Sequence, residues 1–152
     1  MALRNIVTIE DSLLRETARP VEEFDQKLLT LLDDMAQTMY HADGVGLAAP
    51  QIGILRRIAV VDVGDGLIEL VNPYIVKTRG EQIGLEGCLS VPGQSGYVPR
   101  PFKVVVKAQD RYGKPIRLHA EGFLARAFCH EIDHLDGVLY VDKVVPPPDQ
   151  RR

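Results

Sequence analysis

Residues 130–134 have the sequence His130-Glu131-Ile132-Asp133-His134. On an α-helix, residues four positions apart lie on the same face, so both imidazole rings can reach one metal ion. Glu131 directly follows the first histidine, where its carboxylate could accept a proton from a water molecule held by the ion. A polar helix face with two solvated histidines is the alternative, and the pattern alone leaves both interpretations open.

The length and composition predict one globular catalytic domain over residues 1–152, with a flexible tail over 146–152. Of the 152 residues, 45% are apolar and 26% are charged. The formal net charge is −3 and no dense stripe of lysine and arginine is present, so there is no direct signal for nucleic acid binding. No apolar run is long enough for a membrane span and no signal peptide is recognised, so we expect a cytoplasmic location.

Hydrophobic periodicity predicts two helices, a first one over 25–41 and a second one over 122–135 that carries the two histidines. An extended arm is expected over 5–23, and a loop over 94–101. Runs of β-forming residues predict strands over 58–63, 67–76, 103–110, 116–121 and 138–144. Pro73 indicates an edge position or a bend in its strand. The class is therefore α+β, with antiparallel β-sheets packed around the histidine-bearing helix and a separate N-terminal helix.

A segment of small residues follows the first helix, with the sequence Gly44-Val45-Gly46-Leu47-Ala48-Ala49-Pro50-Gln51-Ile52-Gly53. Glycine and alanine present almost no side-chain bulk, so another backbone can approach such a segment closely. A tight connector buried in the core is the alternative. A phosphate-binding loop is a poor fit, because neither the glycine spacing nor a following Lys-Ser/Thr pair is present.

A catalytic metal site of this type needs three protein ligands and one open position. Some metalloproteases use a glutamate downstream of the histidine pair, but no glutamate follows Glu131. Others use a third histidine six residues beyond the second, and here Tyr140 occupies the position six residues after His134. The third ligand is therefore expected upstream.

Cys88 is the best upstream candidate, because a thiolate binds soft or borderline divalent metals tightly and the neighbouring Gly87 lets the backbone fold close to the ion. A buried structural thiol is the alternative. Cys129 would point about 100° around the helix from His130, so we interpret it as a small buried hydrophobic residue.

Three segments resemble the signature motifs of the peptide deformylases in sequence, order and spacing. They are Gly44 to Gln51, Glu86-Gly87-Cys88-Leu89-Ser90, and His130 to His134 with Leu135-Asp136-Gly137. The similarity extends from about residue 13 to residue 144, and with it the solvated-helix interpretation becomes negligible. The resemblance implies a metal-dependent hydrolase that removes the N-formyl group from the formylmethionine of nascent polypeptides and releases formate.

The resemblance also implies roles for individual residues. The expected metal ligands are Cys88, His130 and His134. Glu131 would be the general base and then the proton donor to the leaving amine. The side-chain amide of Gln51 and the backbone N–H of Leu89 would stabilise the negative charge on the formyl oxygen.

The methionine side chain of the substrate needs an apolar pocket beside the metal. The candidates are Val45, Phe123 and Ala127, together with the aliphatic stem of Arg126. Gly44 and Gly46 are expected to let the substrate backbone lie alongside. Recognition by strand-like pairing would be indifferent to most side chains beyond the first.

The expected cofactor is one divalent metal ion. The family resemblance implies Fe²⁺, with Zn²⁺, Ni²⁺ or Co²⁺ as replacements, and nothing in a Cys/His/His set selects among them. The expected partners are a formylmethionyl peptide and, transiently, the ribosome. Many bacterial members dock through a C-terminal helix, whereas this sequence ends in prolines and Arg151-Arg152, so docking by that route is not expected.

Two further interpretations concern residues near the histidines. Arg100 and Asp133 either form an ion pair that braces the helix or are separately exposed. Cys129 stands where many family members have glutamine, which we expect to be silent for the chemistry. Two rival functions are a different metal amidase or aminopeptidase and a catalytically silent peptide-binding module. Glu131 argues against the second rival, because binding needs no base.

Overall fold

The computed structural model describes residues 2–148, so residues 149–152 of the predicted tail lie outside the described part of the chain. Its helices are α1 (Gln26–His41) and α2 (Phe123–Leu135), and its strands are β1 (Gly46–Ala48), β2 (Ile58–Val61), β3 (Ile68–Arg79), β4 (Gln82–Cys88), β5 (Val91–Arg100), β6 (Lys103–Gln109) and β7 (Pro115–Glu121). Short 3-10 helices span Ser12–Arg15, Ala49–Ile52 and Tyr140–Lys143.

The strands form two antiparallel sheets. Five of them pair in the order β1-β2-β3-β6-β7, and β4 pairs with β5 in a separate two-stranded sheet. Helix α2 packs against one face of the large sheet, where Phe128 shares a hydrophobic core with Val104 and Val106. The α+β prediction, with antiparallel sheets around the histidine-bearing helix and a separate N-terminal helix, is confirmed.

Helix α1 forms where the hydrophobic periodicity predicts it. Asp25 precedes the first turn and its side chain accepts a hydrogen bond from the Leu28 N–H, which satisfies one of the free donors at the helix start. The buried stripe of α1, which includes Leu32 and Met39, packs into a core with Val60 of β2. This helix therefore supports the strands that lead to the small-residue segment.

Pro73 lies in the central strand of the large sheet, so the edge position that the sequence allowed is wrong and the bend is correct. The register between β3 and β6 shifts between Val71 and Tyr74. Asn72 adopts a φ of 53°, a conformation that asparagine tolerates better than most residues. Its side chain binds both backbone polar groups of Val21, which ties the bulge to the N-terminal arm.

Two other secondary-structure predictions are wrong, each for its own reason. The loop predicted over 94–101 is wrong, because 94–100 belong to β5, where pairing with β4 overrides the low β propensity of glycine and proline. The strand expected over 138–144 is instead a 3-10 helix at Tyr140–Lys143. There the Asp142 side chain accepts a hydrogen bond from the Leu139 N–H, which favours a helical turn.

The N-terminal arm runs beside the centre of the molecule. The Val7 N–H donates to the Gln51 carbonyl at 2.8 Å, and the Ile9 N–H donates to the Ser90 carbonyl at 2.9 Å. The arm thereby joins the small-residue segment to the turn between β4 and β5. These two hydrogen bonds connect the segment that carries the first signature motif to the segment that carries the second.

Candidate active site

The predicted metal ligands come from two different elements. His130 and His134 lie four residues apart on α2, and Cys88 ends β4. One potential ligand atom of each residue lies within 4.8 Å of the others, and Cys88 Sγ is 3.2 Å from His134 Nε2. The structure therefore brings together the three side chains that the sequence analysis selected.

Glu86 fixes the orientation of the first histidine. The Nδ1 atom of His130 lies 2.8 Å from Glu86 Oε1, which leaves Nε2 as the ring nitrogen available to a ligand. On its other side the His130 ring stacks on Tyr140, with ring centroids 6.0 Å apart. Both contacts restrict rotation of the imidazole.

Glu86 is the centre of a buried ion cluster. Its carboxylate accepts two hydrogen bonds of 2.9 Å from Arg100 and one of 2.6 Å from Nη1 of Arg126. Burial opposes ionisation of Glu86, but the hydrogen bonds from Arg100 and His130 outweigh it and lower the pKa of this carboxyl to about 2. A charged carboxylate is therefore maintained behind His130.

The cluster continues to the protein surface through Asp133. Arg100 Nη1 lies 2.6 Å from Asp133 Oδ2, so of the two interpretations left open for this pair the structure shows the ion pair. Lys143 also approaches Asp133 Oδ2, at 3.0 Å. Helix α2, the β4–β5 sheet and the C-terminal 3-10 helix thus share one network of charges.

Glu131 has the environment of a proton acceptor that is also able to donate. It is 4% exposed, and among the described residues its Oε1 atom has no hydrogen-bond partner. Burial raises the pKa of this carboxyl to about 7. Its other oxygen packs so closely on Gly46 that a Cβ at that position would overlap it. Position 46 therefore requires glycine for a steric reason.

The charge distribution around the histidines fits a divalent cation. Burial lowers the pKa of His130, but the negative charge of Glu131, together with Cys88 and Glu86, outweighs it and raises this pKa to about 10. Burial and the neighbouring charge of His130 instead hold the pKa of His134 well below its ordinary value, so its ring stays neutral and can offer a nitrogen lone pair. The site thus presents a sulfur and two ring nitrogens together. Such a donor set suits a borderline-soft divalent metal ion.

Gln51 presents its amide nitrogen to the same site. Its Oε1 atom accepts a hydrogen bond from the Ala48 N–H at 2.9 Å. This contact holds the amide oxygen toward Ala48, so the amide nitrogen points toward Cys88. The Nε2 atom lies 3.2 Å from Ser90 Oγ and 3.4 Å from Cys88 Sγ. Leu89, which follows Cys88, lies in the wall of the adjacent cavity.

A cavity of about 460 Å³ opens beside these groups. All six residues expected to bind substrate line it, namely Gly44, Val45, Gly46, Phe123, Arg126 and Ala127. Arg126 does so in a way that the sequence did not indicate, because Nη1 of its guanidinium is turned toward Glu86 and the carbonyl oxygen of Val98. Its aliphatic stem remains the part suited to contact an apolar side chain.

Comparisons with known proteins agree with this geometry. The family model for polypeptide deformylase matches residues 3–150. The chain is 63% identical over 145 residues to the peptide deformylase of Caldicellulosiruptor bescii. The matched region covers 95% of this chain and 87% of that protein. This chain belongs to the peptide deformylase family. As a peptide deformylase it is an enzyme that removes the N-formyl group from nascent polypeptides.

Solved structures of other peptide deformylases have the same fold. The enzyme of Thermotoga maritima superposes with a TM-score of 0.93 at 42% identity, over 95% of this chain and 99% of that one. The enzyme of Synechococcus elongatus, solved in complex with actinonin, gives a TM-score of 0.91 at 45% identity, over 93% of this chain and 79% of that one. Within the described residues of this deformylase, no helix is long and apolar enough to cross a membrane.

Two residues of the deformylase show what the sequence could and could not reveal. Cys129 is 4% exposed, and burial raises the pKa of its thiol to about 11, as expected for a small buried hydrophobic residue. Glu86 lies within a signature motif, but the sequence does not predict its role as the carboxylate behind His130. No local pattern indicates it, because the register of β4 and β5 shifts between Glu86 and Cys88 and the partners of Glu86 lie in other elements.

Proposed function

We propose that Cys88, His130 and His134 hold one divalent metal ion and that Glu131 transfers the protons of the deformylation reaction. The observation that carries the proposal is the convergence of the three ligand atoms within 4.8 Å, next to a buried carboxylate. The metal would supply Lewis-acid activation of water and of the formyl carbonyl. Fe²⁺ is our choice of ion from the family resemblance, because the Cys/His/His set does not discriminate among Fe²⁺, Zn²⁺, Ni²⁺ and Co²⁺.

Glu131 would accept one proton from the attacking water. The water oxygen then forms a bond to the formyl carbon, and Glu131 returns the proton to the nitrogen of the methionine as the C–N bond breaks. The products are formate and a free amino terminus. A carboxyl with a pKa of about 7 suits both steps, because proton transfer is most efficient when the pKa lies near the working pH.

Gln51 and Leu89 would stabilise the negative charge that develops on the formyl oxygen. The Gln51 amide is held by Ala48, so its N–H groups are oriented before substrate binds. A fixed donor of this kind is worth about 3–4 kcal/mol to the transition state. The Leu89 backbone N–H is proposed as the second donor because Leu89 follows Cys88 in the cavity wall.

The cavity beside the proposed ligands would bind the methionine side chain. Val45, Phe123 and Ala127 supply apolar surface there, and Arg126 supplies its stem. Gly44 and Gly46 would allow the substrate backbone to approach β1, which is at the edge of the large sheet. An extended peptide can pair with such an edge through backbone hydrogen bonds.

The cellular setting follows from the substrate. Formylated amino termini arise on nascent chains, so we propose that the enzyme works in the cytoplasm and contacts the ribosome transiently. The experiment for this contact is co-sedimentation with ribosomes at low ionic strength. An enzyme that stays in the supernatant at every salt concentration would contradict it.

The two cysteines provide a matched test of the metal site. Protein purified without oxygen should contain one equivalent of divalent metal by elemental analysis, and should release formate from formyl-Met-Ala-Ser but not cleave the acetylated peptide. Cys88→Ala should lose the metal and the activity, whereas Cys129→Ala should retain both. Stoichiometric metal in Cys88→Ala, or peptide-bond cleavage without formate release, would overturn the proposal.

A further inference from the structure

The face of the large sheet opposite α2 is covered by α1 at Val60 and Val71, and the part of it formed by β3, β6 and β7 beyond α1 carries a cluster of cationic side chains. The registers of β3, β6 and β7 place alternate residues of these strands on this face. Five of them are cationic and exposed, and we call this set the basic face. Its members are Lys77, Arg79, Lys103, Lys107 and Arg117.

The basic face is arranged in rows across the sheet. Arg79 is opposite Lys103 in one row, and Lys107 is opposite Arg117 in another. Lys77 lies in the row between them, opposite Val105. Successive residues on one face of a strand are roughly 6.6 Å apart, so the three rows distribute charge over roughly 13 Å. A surface of this size can contact several charges of a polyanion at once.

Little of this charge is neutralised within the protein. Lys103 lies 3.6 Å from Glu121, and both side chains are exposed. The other four members form no ion pair with any residue of the described range 2–148. This local excess of positive charge occurs in a chain whose formal net charge is −3. A positive patch on an otherwise acidic protein favours binding of an anionic partner at that patch.

The shape and chemistry of the face favour nucleic acid over protein. A concavity of about 480 Å³ lies over the rows, and its floor includes Val105, which is only 9% exposed. Four cationic side chains, Lys77, Arg79, Lys103 and Arg117, surround this floor, whereas charged residues are depleted at the centre of protein interfaces. Tyr74, opposite Lys107 and 52% exposed, offers a ring on which a base can stack.

The position of the face leaves the catalytic cavity accessible. The inward residues of the same strands, including Val104 and Ala120, pack against Phe128 of α2. The cavity that contains His130 and Glu131 lies on the α2 side of the sheet. A partner bound to the basic face would therefore not block the entry of a peptide.

We propose that the basic face binds the phosphate backbone of RNA without sequence preference. The inference rests on the proposed contact with the ribosome and assigns that contact to RNA phosphates. Binding of this kind depends on the release of counterions, so its affinity must fall steeply as salt increases.

The test is fluorescence anisotropy with a labelled single-stranded RNA of roughly 20 nucleotides, measured between about 50 and 200 mM salt. The test variant is Lys77→Gln with Arg117→Gln. Its control is Arg19→Gln with Lys27→Gln, which removes the same charge from two exposed positions that are not members of the basic face. The test variant should bind about tenfold more weakly at the lower salt, and its negative slope of log K against log salt should become shallower by about 1.4. The control should match the wild type.

Each other outcome has a defined meaning. Equal RNA binding by all three proteins, or no RNA binding by the wild type, would overturn the inference. Binding to vesicles containing phosphatidylglycerol in place of RNA would assign the face to a lipid surface. Ribosome binding without RNA binding would preserve the proposed ribosome contact and reject the basic face as its origin. Formate release from formyl-Met-Ala-Ser should be the same in all three, and reports on the catalytic proposal separately.

Discussion

Helix α2 and the β4–β5 sheet supply the same candidate metal site, but they acquire their structure in different ways. The helix follows from local sequence, because its apolar residues and its two histidines recur at helical spacing. The sheet contains Gly93, Ser95 and Gly96, and it forms through pairing and through the ions around Glu86. The helix brings its ligands with it, whereas the cysteine is placed by long-range contacts.

The proposed base on the helix should show the largest effect. Glu131→Gln removes the proton acceptor while keeping a side chain of similar volume, so we expect formate release to fall by about 10²–10⁴-fold. Metal content should be unchanged, because Glu131 is not among the proposed ligands. Elemental analysis together with the formate assay checks both expectations. Near-normal turnover in this variant would remove Glu131 from the mechanism.

The centre of the ion cluster should be the most sensitive position for folding. Glu86→Gln would leave the buried guanidinium groups of Arg100 and Arg126 without their shared carboxylate, and should lower the free energy of unfolding by about 3–5 kcal/mol. Urea denaturation measures this difference. The control is Glu121→Gln, which breaks the exposed pair with Lys103 and should cost less than about 1 kcal/mol. Similar values for the two variants would mean that the cluster does not hold the sheet.

The contact between the two regions should be weaker than the cluster itself. Asp133→Asn removes one charged partner of Arg100 but leaves Glu86 in place, so we expect a loss of about 1–2 kcal/mol in the free energy of unfolding. Because Asp133 and Glu86 share Arg100, the double variant should lose a different amount from the sum of the single losses. Strict additivity in urea denaturation would show that the two carboxylates act independently.

The difference between local patterns and long-range contacts explains which features the sequence could predict. The helices, four of the five expected strands, the motif residues and the cavity lining follow patterns within short segments. Glu86 acts through Arg100 and Arg126, which lie 14 and 40 residues away, so no local window contains the cluster. The basic face is similar, since its residues come from three strands and form no run in the sequence.

The N-terminal arm extends the comparison to a third region, with the smallest expected effect. Asp34 of α1 is buried and accepts hydrogen bonds from the Ala2 N–H at 2.7 Å and from Arg4 at 2.9 Å. Burial raises the pKa of Asp34, but these hydrogen bonds outweigh it and hold the pKa below the ordinary value of 3.8. The stabilisation is therefore present above pH 3.8 and is lost as the pH falls below it.

Asp34→Asn tests this pH dependence. The free energy of unfolding of the wild type should decrease more steeply between pH 5 and pH 3 than that of the variant, because only the wild type gains a proton at this position on unfolding at low pH. Urea denaturation at the two pH values measures the difference. Parallel curves would show that the arm is attached by other contacts.

The overlap that any side chain at position 46 would make with Glu131 limits how this enzyme can be redesigned. For the proposed substrate pocket, directed-evolution libraries that seek acceptance of bulkier first residues should keep Gly46 constant and randomise Val45 and Phe123, which are 41% and 55% exposed in the cavity wall. Substitutions at those two positions can reshape the pocket without displacing the carboxylate. Tolerance to substitution therefore differs sharply between the adjacent positions Val45 and Gly46.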